Sequence, residues 1–330
     1  MTPILPLIST VPLLAGLLAA VPADQGPAAG PGGAGPGAGP AAPGQVVAEH
    51  TAARTAADLR RALGHWTPER MARAVPATLL GMPRAALLPP PAAPRRAAKP
   101  VKPVTRGSRW AAGGAVARTT GRVFLTMRGA DYVCSAGAVR SRNMDVVVTA
   151  GHCVKDGAGA WAQNWTFVPG YDAGRRPYGA FTARRMFVPG PWSARGDDSH
   201  DLAMVAVAPA GGRHLTEVVG GQDIGFNRPR GARTFGFGFP ADAPYDGEHL
   251  VYCAGDPHGD PHRQTRDQGM RCDLTAGSSG GPWLSAFDPA SGRGVVTSVS
   301  SFKYSDDATT MYGPYFGDHA RRLFEAAQNA

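Results

Sequence analysis

The first 110 residues of this 330-residue chain contain no cysteine, no Phe and no Tyr, and Trp66 and Trp110 are their only large aromatics. Ala, Pro, Gly and Arg fill the space instead, a composition that buries little apolar surface. Residues 111–330 lack something different, an excess of either charge. They hold 22 Lys and Arg against 21 Asp and Glu, whereas residues 1–110 hold 12 against 4. The formal charge of +9 therefore belongs to the N-terminal third. The remainder has no basic surplus with which to neutralise phosphates, so no nucleic-acid partner is expected. No apolar run reaches the roughly 20 residues needed to cross a bilayer. The longest, Ile4 to Val21, is broken by Pro6 and Pro12 and leads into the small residues Val21-Pro22-Ala23. It reads as a signal peptide over 1–23, despite lacking a basic start, and predicts a secreted protein without stable membrane insertion.

A C-x-x-C pair is also missing, which argues against zinc. Four cysteines in an exported chain point to two disulfides, for which the sequence permits three connectivities. Cys134 and Cys153 are 19 positions apart, as are Cys253 and Cys272, so local pairing is the simplest choice.

Residues 24–110 read as a Pro/Gly/Ala-rich basic leader. Its first part, 24–45, is low-complexity tether. Residues 46–75 look helical, with Leu59, Leu63 and Trp66 on a 3–4 spacing and Pro68 as a break. Pro, Ala and Arg then return, including Pro89-Pro90-Pro91, Arg95-Arg96, Arg106 and Arg109. A helical piece between basic linkers, ahead of a cysteine-bearing domain, suggests a propeptide; a spacing stalk is the alternative.

From about Gly121 the pattern becomes β. Short Val/Phe/Tyr/Thr runs recur between Gly, Pro, Asn and Asp: 122–127, 132–140, 145–149, 165–169, 181–188, 202–207, 234–239, 249–253, 281–285, 295–302 and 311–316. No helical stretches of about 10–15 residues alternate with them, so a parallel α/β sheet is not expected. One helix is expected at 318–328, capped by Asp318, with the stripe Ala320, Leu323, Phe324 and Ala327. The expectation is an all-β domain over 111–330, antiparallel, closed by a terminal helix.

Three segments carry chemistry. Val146-Val147-Val148-Thr149-Ala150-Gly151-His152-Cys153 ends an apolar strand at a histidine clamped by the next residue. A proton-transferring imidazole needs that rigidity. Asp201 opens the apolar run Leu202–Val207, where a carboxylate can be buried against the histidine and fix its tautomer. Asp197 and Asp198 compete for this role, but only Asp201 directly precedes the strand, and His200 beside it reads as solvent-facing. Gly277-Ser278-Ser279-Gly280-Gly281-Pro282 surrounds a serine with glycines that let the backbone bend and a substrate carbonyl approach.

Together, T-A-G-H-C, the D-L-A-M strand and G-S-S-G-G-P resemble the chymotrypsin/trypsin-like serine peptidases, in particular the bacterial secreted branch with glutamyl-endopeptidase-like enzymes. The resemblance covers about 121–330. It implies two antiparallel six-stranded β-barrels, about 121–212 and 213–317, with His152, Asp201 and Ser279 as the triad in the cleft between them. It further implies the amides of Gly277 and Ser279 as the oxyanion hole, and Asp273, Thr297, Ser298, Ser300 and Gly313 around the substrate. The activity implied is a monomeric serine endopeptidase acting on proteins or peptides with no cofactor and no metal. A catalytically silent binding module on the same fold, or a surface-tethered structural protein, are the rival readings.

The chain departs from the family at two places. Ser278 stands where the trypsin branch has an acid that pairs with a newly freed N-terminus, so activation through that ion pair is not expected. Thr297 stands where strict glutamate cleavers place a histidine. Asp273, six positions before Ser279, either favours a basic P1 residue or is simply exposed, and Lys303 could offset a substrate charge. The motif Asp256-Pro257-His258-Gly259-Asp260-Pro261-His262 reads as a solvated turn rather than a metal site, and Trp161, Trp165 and Trp192 as core or rim aromatics.

Overall fold

The computed structural model describes residues 46–77 and 104–330. The expected signal peptide, the 24–45 tract and the Pro/Arg-rich stretch 78–103 lie outside the described residues. The N-terminal block contains β1 (Val47–Thr51), α1 (Ala56–His65), α2 (Pro68–Arg73) and β2 (Val75–Pro76). Next come β3 (Val104–Arg109), α3 (Gly114–Thr119), β4 (Thr120–Met127), β5 (Ala130–Ala138) and β6 (Val146–Thr149). They are followed by β7 (Gln163–Pro169), β8 (Phe181–Pro189), α4 (Gly190–Arg195), β9 (Ala203–Val207) and α5 (Leu215–Val219). The second half holds β10 (Asp223–Ile224), β11 (Thr234–Gly238), β12 (Val251–Gly255), β13 (His258–Gly259) and β14 (Gln268–Arg271). It ends with β15 (Pro282–Asp288), β16 (Arg293–Val299), β17 (Thr310–Gly313) and α6 (Asp318–Gln328).

Strands β8, β7, β4, β5, β6 and β9 pair in that order, and β9 pairs back to β8, closing a six-stranded antiparallel barrel. β1 adds to the outside of β8, and β2 to β5. The second half departs from a single closed barrel. It is a six-stranded sheet in the order β10-β16-β15-β11-β12-β3 beside a three-stranded sheet β13-β14-β17, linked by the Phe302–Tyr312 bridge. Disulfide Cys253–Cys272 ties β12 to the residue following β14, and Cys134–Cys153 joins β5 to the segment after β6. Both bonds are the local pairs.

The apolar strands serve two cores at once. In β4, Val123, Leu125 and Met127 point into the first barrel, while Phe124 joins a second cluster with Phe187, Met204, Phe237 and Leu284. The period-2 alternation thus sends both faces into apolar surroundings, which is why these strands read as continuous hydrophobic runs. Helix α6 adds Ala320, Leu323 and Ala327 to the second cluster, with Phe324 packed against it. Its N-cap is Gly317 rather than Asp318, whose carboxylate instead accepts from Asn227 and Arg321.

The 46–75 stretch is only partly helical. Residues 47–51 are a strand, and Pro68 starts α2 rather than breaking a helix, because Thr67 caps it and a proline at N1 has no N–H to lose. Leu63 is exposed, and Ala62, Trp66 and Met71 face inward. No helix among the described residues is long and apolar enough to cross a membrane.

Candidate active site

The His152, Asp201 and Ser279 segments converge from both halves of the fold. β6 delivers His152 through the 3-10 turn Gly151–Cys153, and another such turn, Asp198–His200, delivers Asp201 at the entrance to β9. β6 and β9 are paired partners, with Thr149 opposite Ala203, so the two side chains leave the same end of one ladder. Asp201 is fully buried. Its Oδ1 accepts the backbone N–H of His152 at 2.7 Å, and its Oδ2 lies 2.8 Å from His152 Nδ1. Oδ2 also accepts the Ser301 hydroxyl at 2.5 Å. Burial pushes the Asp201 carboxyl up, but the His152 charge and these donors outweigh it and hold it below the usual carboxylate range. Asp197 is occupied elsewhere, accepting Ser199 N–H and Arg195.

The close approach of Asp201 to the His152 backbone requires Gly151. A Cβ there would lie 2.9 Å from both Asp201 Oδ1 and Trp192 Nε1. Trp192 and Trp165 are themselves buried, and their indole N–H groups donate to Lys155 O and Cys153 O, bracing the chain just beyond the histidine. Trp161 is half-buried and stacks on His50.

Ser279 sits on a tight loop before β15. Gly277 has φ +93°, a conformation that L side chains rarely adopt, and a Cβ there would also meet Phe239 O at 2.8 Å. Ala241 N donates to Ala276 O at 2.7 Å, which turns the Gly277 N–H of the same peptide the other way. Neither the Gly277 nor the Ser279 amide has a hydrogen-bond acceptor among the described residues. Barrel one supports the loop through Ser135, whose N–H donates to Ser279 O at 2.8 Å and whose hydroxyl donates to Gly277 O at 2.8 Å. His152 Nε2 has no hydrogen-bond partner among the described residues. The Ser278 hydroxyl donates to Thr275 O at 2.6 Å, so this buried position is satisfied locally. The arrangement has the parts that acyl transfer requires: a serine hydroxyl, an imidazole held by a carboxylate, and the Gly277 and Ser279 amides without acceptors among the described residues.

Solved structures with this architecture decide the family. The protease Anisep from Arthrobacter nicotinovorans is 38% identical, with a TM-score of 0.62, covering 64% of this chain and 96% of that one. The chain belongs to the bacterial chymotrypsin-like serine proteases. A thermostable serine protease, AL20, from an extremophilic microorganism is similarly related, 37% identical over 66% of this chain and 99% of that one, with a TM-score of 0.62. A Glu endopeptidase shares the fold at 18% identity and TM-score 0.54, covering 68% and 97%. No family model matches the chain.

Among curated proteins, an extracellular metalloprotease of Bacillus subtilis is 27% identical over 114 residues. This protease spans about a third of that relative's length, 35%, and the match covers 34% of its own. The metal in that name does not fit here. Among the described residues, the group with metal-like spacing is Cys134, His152 and Cys153, and both sulfurs are consumed in a disulfide.

Of the remaining predicted site residues, Ser300 packs against the loop that carries Ser279, and Ser298 and Gly313 adjoin one another. Ser301, which the sequence analysis missed, is the serine that reaches Asp201. Ser298, three positions earlier, is buried and donates to Pro314 O at 2.9 Å. Thr297 lines a surface cavity with Arg228, Pro257 and Tyr315. Ser300 receives the Trp283 indole N–H, and its carbonyl accepts Gly280 N–H at 2.7 Å, placing its backbone against the loop that carries Ser279. Gly313 lies in β17, where a Cβ would collide with Val299 O. Asp273 is half-buried, and its Oδ1 accepts both Gly107 N–H and the Tyr245 hydroxyl at 2.7 Å. In the Asp256–His262 segment, Asp260 accepts N–H groups from His262, Gln264 and Thr265 and the Tyr304 hydroxyl, which organises its own loop.

His200 is buried rather than solvent-facing, packed edge-on against His319 at 4.8 Å. Nearby Asp267 is 1% exposed, and neither carboxylate oxygen has a hydrogen-bond partner among the described residues. Burial, then the charges of Asp201, Asp198, Asp260 and Asp197, push its carboxyl well up. Because the folded state holds this proton more tightly than the unfolded chain, Asp267 costs stability above the unfolded carboxyl pKa of about 4. Asp267→Asn is therefore expected to raise Tm at pH 7–8 by several degrees, roughly 1–3 kcal/mol. The gain should vanish below about pH 4. Calorimetry across pH checks this, and an equal gain at pH 3.5 would contradict it.

Proposed function

We propose that this protease is a secreted serine endopeptidase working through an acyl-enzyme. The single observation that carries the reading is the contact of buried Asp201 with His152 on the ladder beside Ser279. In this reading His152 Nε2 takes the Ser279 proton as Oγ bonds to the scissile carbonyl carbon, and returns it to the leaving amine as the C–N bond breaks. Asp201 holds the Nδ1 proton throughout. The Gly277 and Ser279 amides stabilise the tetrahedral oxyanion, about 3–4 kcal/mol for each donor in comparable sites. Water, activated by the same imidazole, then cleaves the ester. Apo nucleophile–base contacts are commonly loose and close on substrate binding, consistent with the unpartnered Nε2. Residues 1–23 act as the export signal, and the two disulfides suit an oxidising compartment.

Asp273 does not give a simple basic pocket. One of its oxygens is already doubly engaged, and Lys303 is close enough for Asp273 to stabilise its charge. Burial brings the Lys303 ammonium down to about 8, with Asp273 and Asp307 opposing the shift. Below that pH the lysine competes with a basic P1 side chain for Asp273; above it, the competition fades. Peptide-library profiling of the full chain should show Arg and Lys at P1 gaining several-fold, relative to neutral residues, between pH 7 and 9. Lys303→Met should show the high-pH profile throughout, and a pH-independent profile in the native enzyme would refute this pocket. In the same assay Ser279→Ala should cleave nothing; residual cleavage at native rates would refute the protease mechanism.

A further inference from the structure

Residues 46–77 precede the peptidase segment in the sequence, yet they are built onto the closed first barrel. β1 pairs with β8 over five positions, from Val47 opposite Pro189 to Thr51 opposite Arg185. Backbone bonds from Gly190 to Val46 O, and from Ala52 and Ala53 to Arg184 O, extend that ladder at both ends. β2 and Ala77 bond in turn to β5, at Tyr132 and Val133. The side chains go deeper. Trp66 is 3% exposed, packs on Phe124 and donates its indole N–H to Asn164 O at 2.6 Å. Ala48, Met71 and Ala77 are buried in the same cores as the barrel strands. On the rim, His65 and Arg70 both meet Asp131, and Arg185 meets Glu49.

A segment resting on a finished surface would leave a satisfied edge behind it. Removing this one would expose the β8 edge, with unpaired N–H and C=O groups, and a tryptophan-sized slot over Phe124. Beyond 78–103 the chain is anchored a second time, on the other half of the fold. There β3 pairs with β12, Gly107 bonds Asp273 and Trp110 N–H bonds Leu250 O. Each flank of the basic stretch carrying Arg84, Arg95, Arg96, Lys99 and Lys102 therefore has its own attachment.

We infer that residues 46–77 are a permanent strap of the mature enzyme, so that cutting the chain within 78–103 yields a two-chain protease rather than releasing a propeptide. The inference rests on the reading of the N-terminal third as a processed leader, but its test does not depend on catalysis.

A recognition sequence for a site-specific protease, inserted between residues 78 and 103 of the Ser279→Ala chain, allows one defined cut. The two fragments should co-elute from size exclusion as one species of uncut mass and separate only in denaturant. Adding Trp66→Ala should speed loss of the N-terminal fragment by tenfold or more. Release of that fragment from the cut Ser279→Ala protein, whether the remainder stays folded or aggregates, overturns the proposal. If the fragments co-elute while the cut native enzyme cleaves no peptide, the strap stands and the peptidase reading falls.

Discussion

Replacing Asp201 with asparagine is expected to lower kcat by about four orders of magnitude while leaving KM nearly unchanged. The carboxylate accepts three hydrogen bonds, from His152 N, His152 Nδ1 and Ser301 Oγ. An amide offers one acceptor oxygen and one donor group, and both positions now face donors. If the NH2 faces Nδ1, the imidazole must carry its proton on Nε2, the nitrogen that has to receive the Ser279 proton. If it takes the Oδ1 place and faces the His152 N–H, that buried donor is left unmatched and the histidine loses its orientation. Either way the base is in the wrong form or place. Ser301→Ala removes only one of the three donors and should cost far less. Steady-state kinetics on a peptide substrate decides this, and a loss under tenfold for Asp201→Asn would mean Asp201 is not the orienting acid.

Gly151→Ala should be nearly as informative, because nothing chemical is removed. The added methyl would sit 2.9 Å from Asp201 Oδ1 and from Trp192 Nε1, closer than carbon atoms tolerate. Trp192 cannot retreat freely, being 1% exposed and bonded to Lys155 O. The strain therefore falls on Asp201 and, through it, on the His152 ring. A displacement on the order of an ångström in a catalytic group is worth about 100-fold in rate. A kcat reduced by about that factor, with the protein still folded by circular dichroism, is the expected outcome. Unchanged kinetics would mean the neighbourhood of the histidine is softer than its packing implies.

The segments proposed to be catalytic were legible because each lies at a strand boundary with its own local signature. The apolar run into His152, the acid at the mouth of β9 and the glycines around Ser279 are all short-range patterns. The strands of residues 120–313 were legible for the same reason, apart from short pieces such as β13 and β14. What the sequence hid are partnerships across long separations. Ser301 lies 100 positions from Asp201, in the run Ser298-Val299-Ser300-Ser301, where four adjacent residues offer three candidate hydroxyls. Only the approach of the chain after β17 shows that the Ser298 hydroxyl is spent on Pro314 O. Ser135 carries no local signal at all, since its role depends on a loop from the other half of the fold.

The N-terminal block was hidden differently. Its Ala-rich, Arg-rich composition favours helix and gives two, but β1 and Trp66 are specified by β8 and Phe124, which the local sequence does not contain. Leu63, which the spacing pointed inward, is exposed, and Ala62 takes the buried place. Tertiary partners override local propensity in such a segment.

The central claim is that Ser279 is a nucleophile activated by the His152–Asp201 pair. Incubating the full chain with a fluorophosphonate and mapping the adduct by peptide mass spectrometry tests it most directly. A single phosphonylated peptide containing Ser279, lost in Ser279→Ala and slowed at least 100-fold in Asp201→Asn, is the expected result. An unlabelled Ser279 in protein that still cleaves peptides would contradict the account.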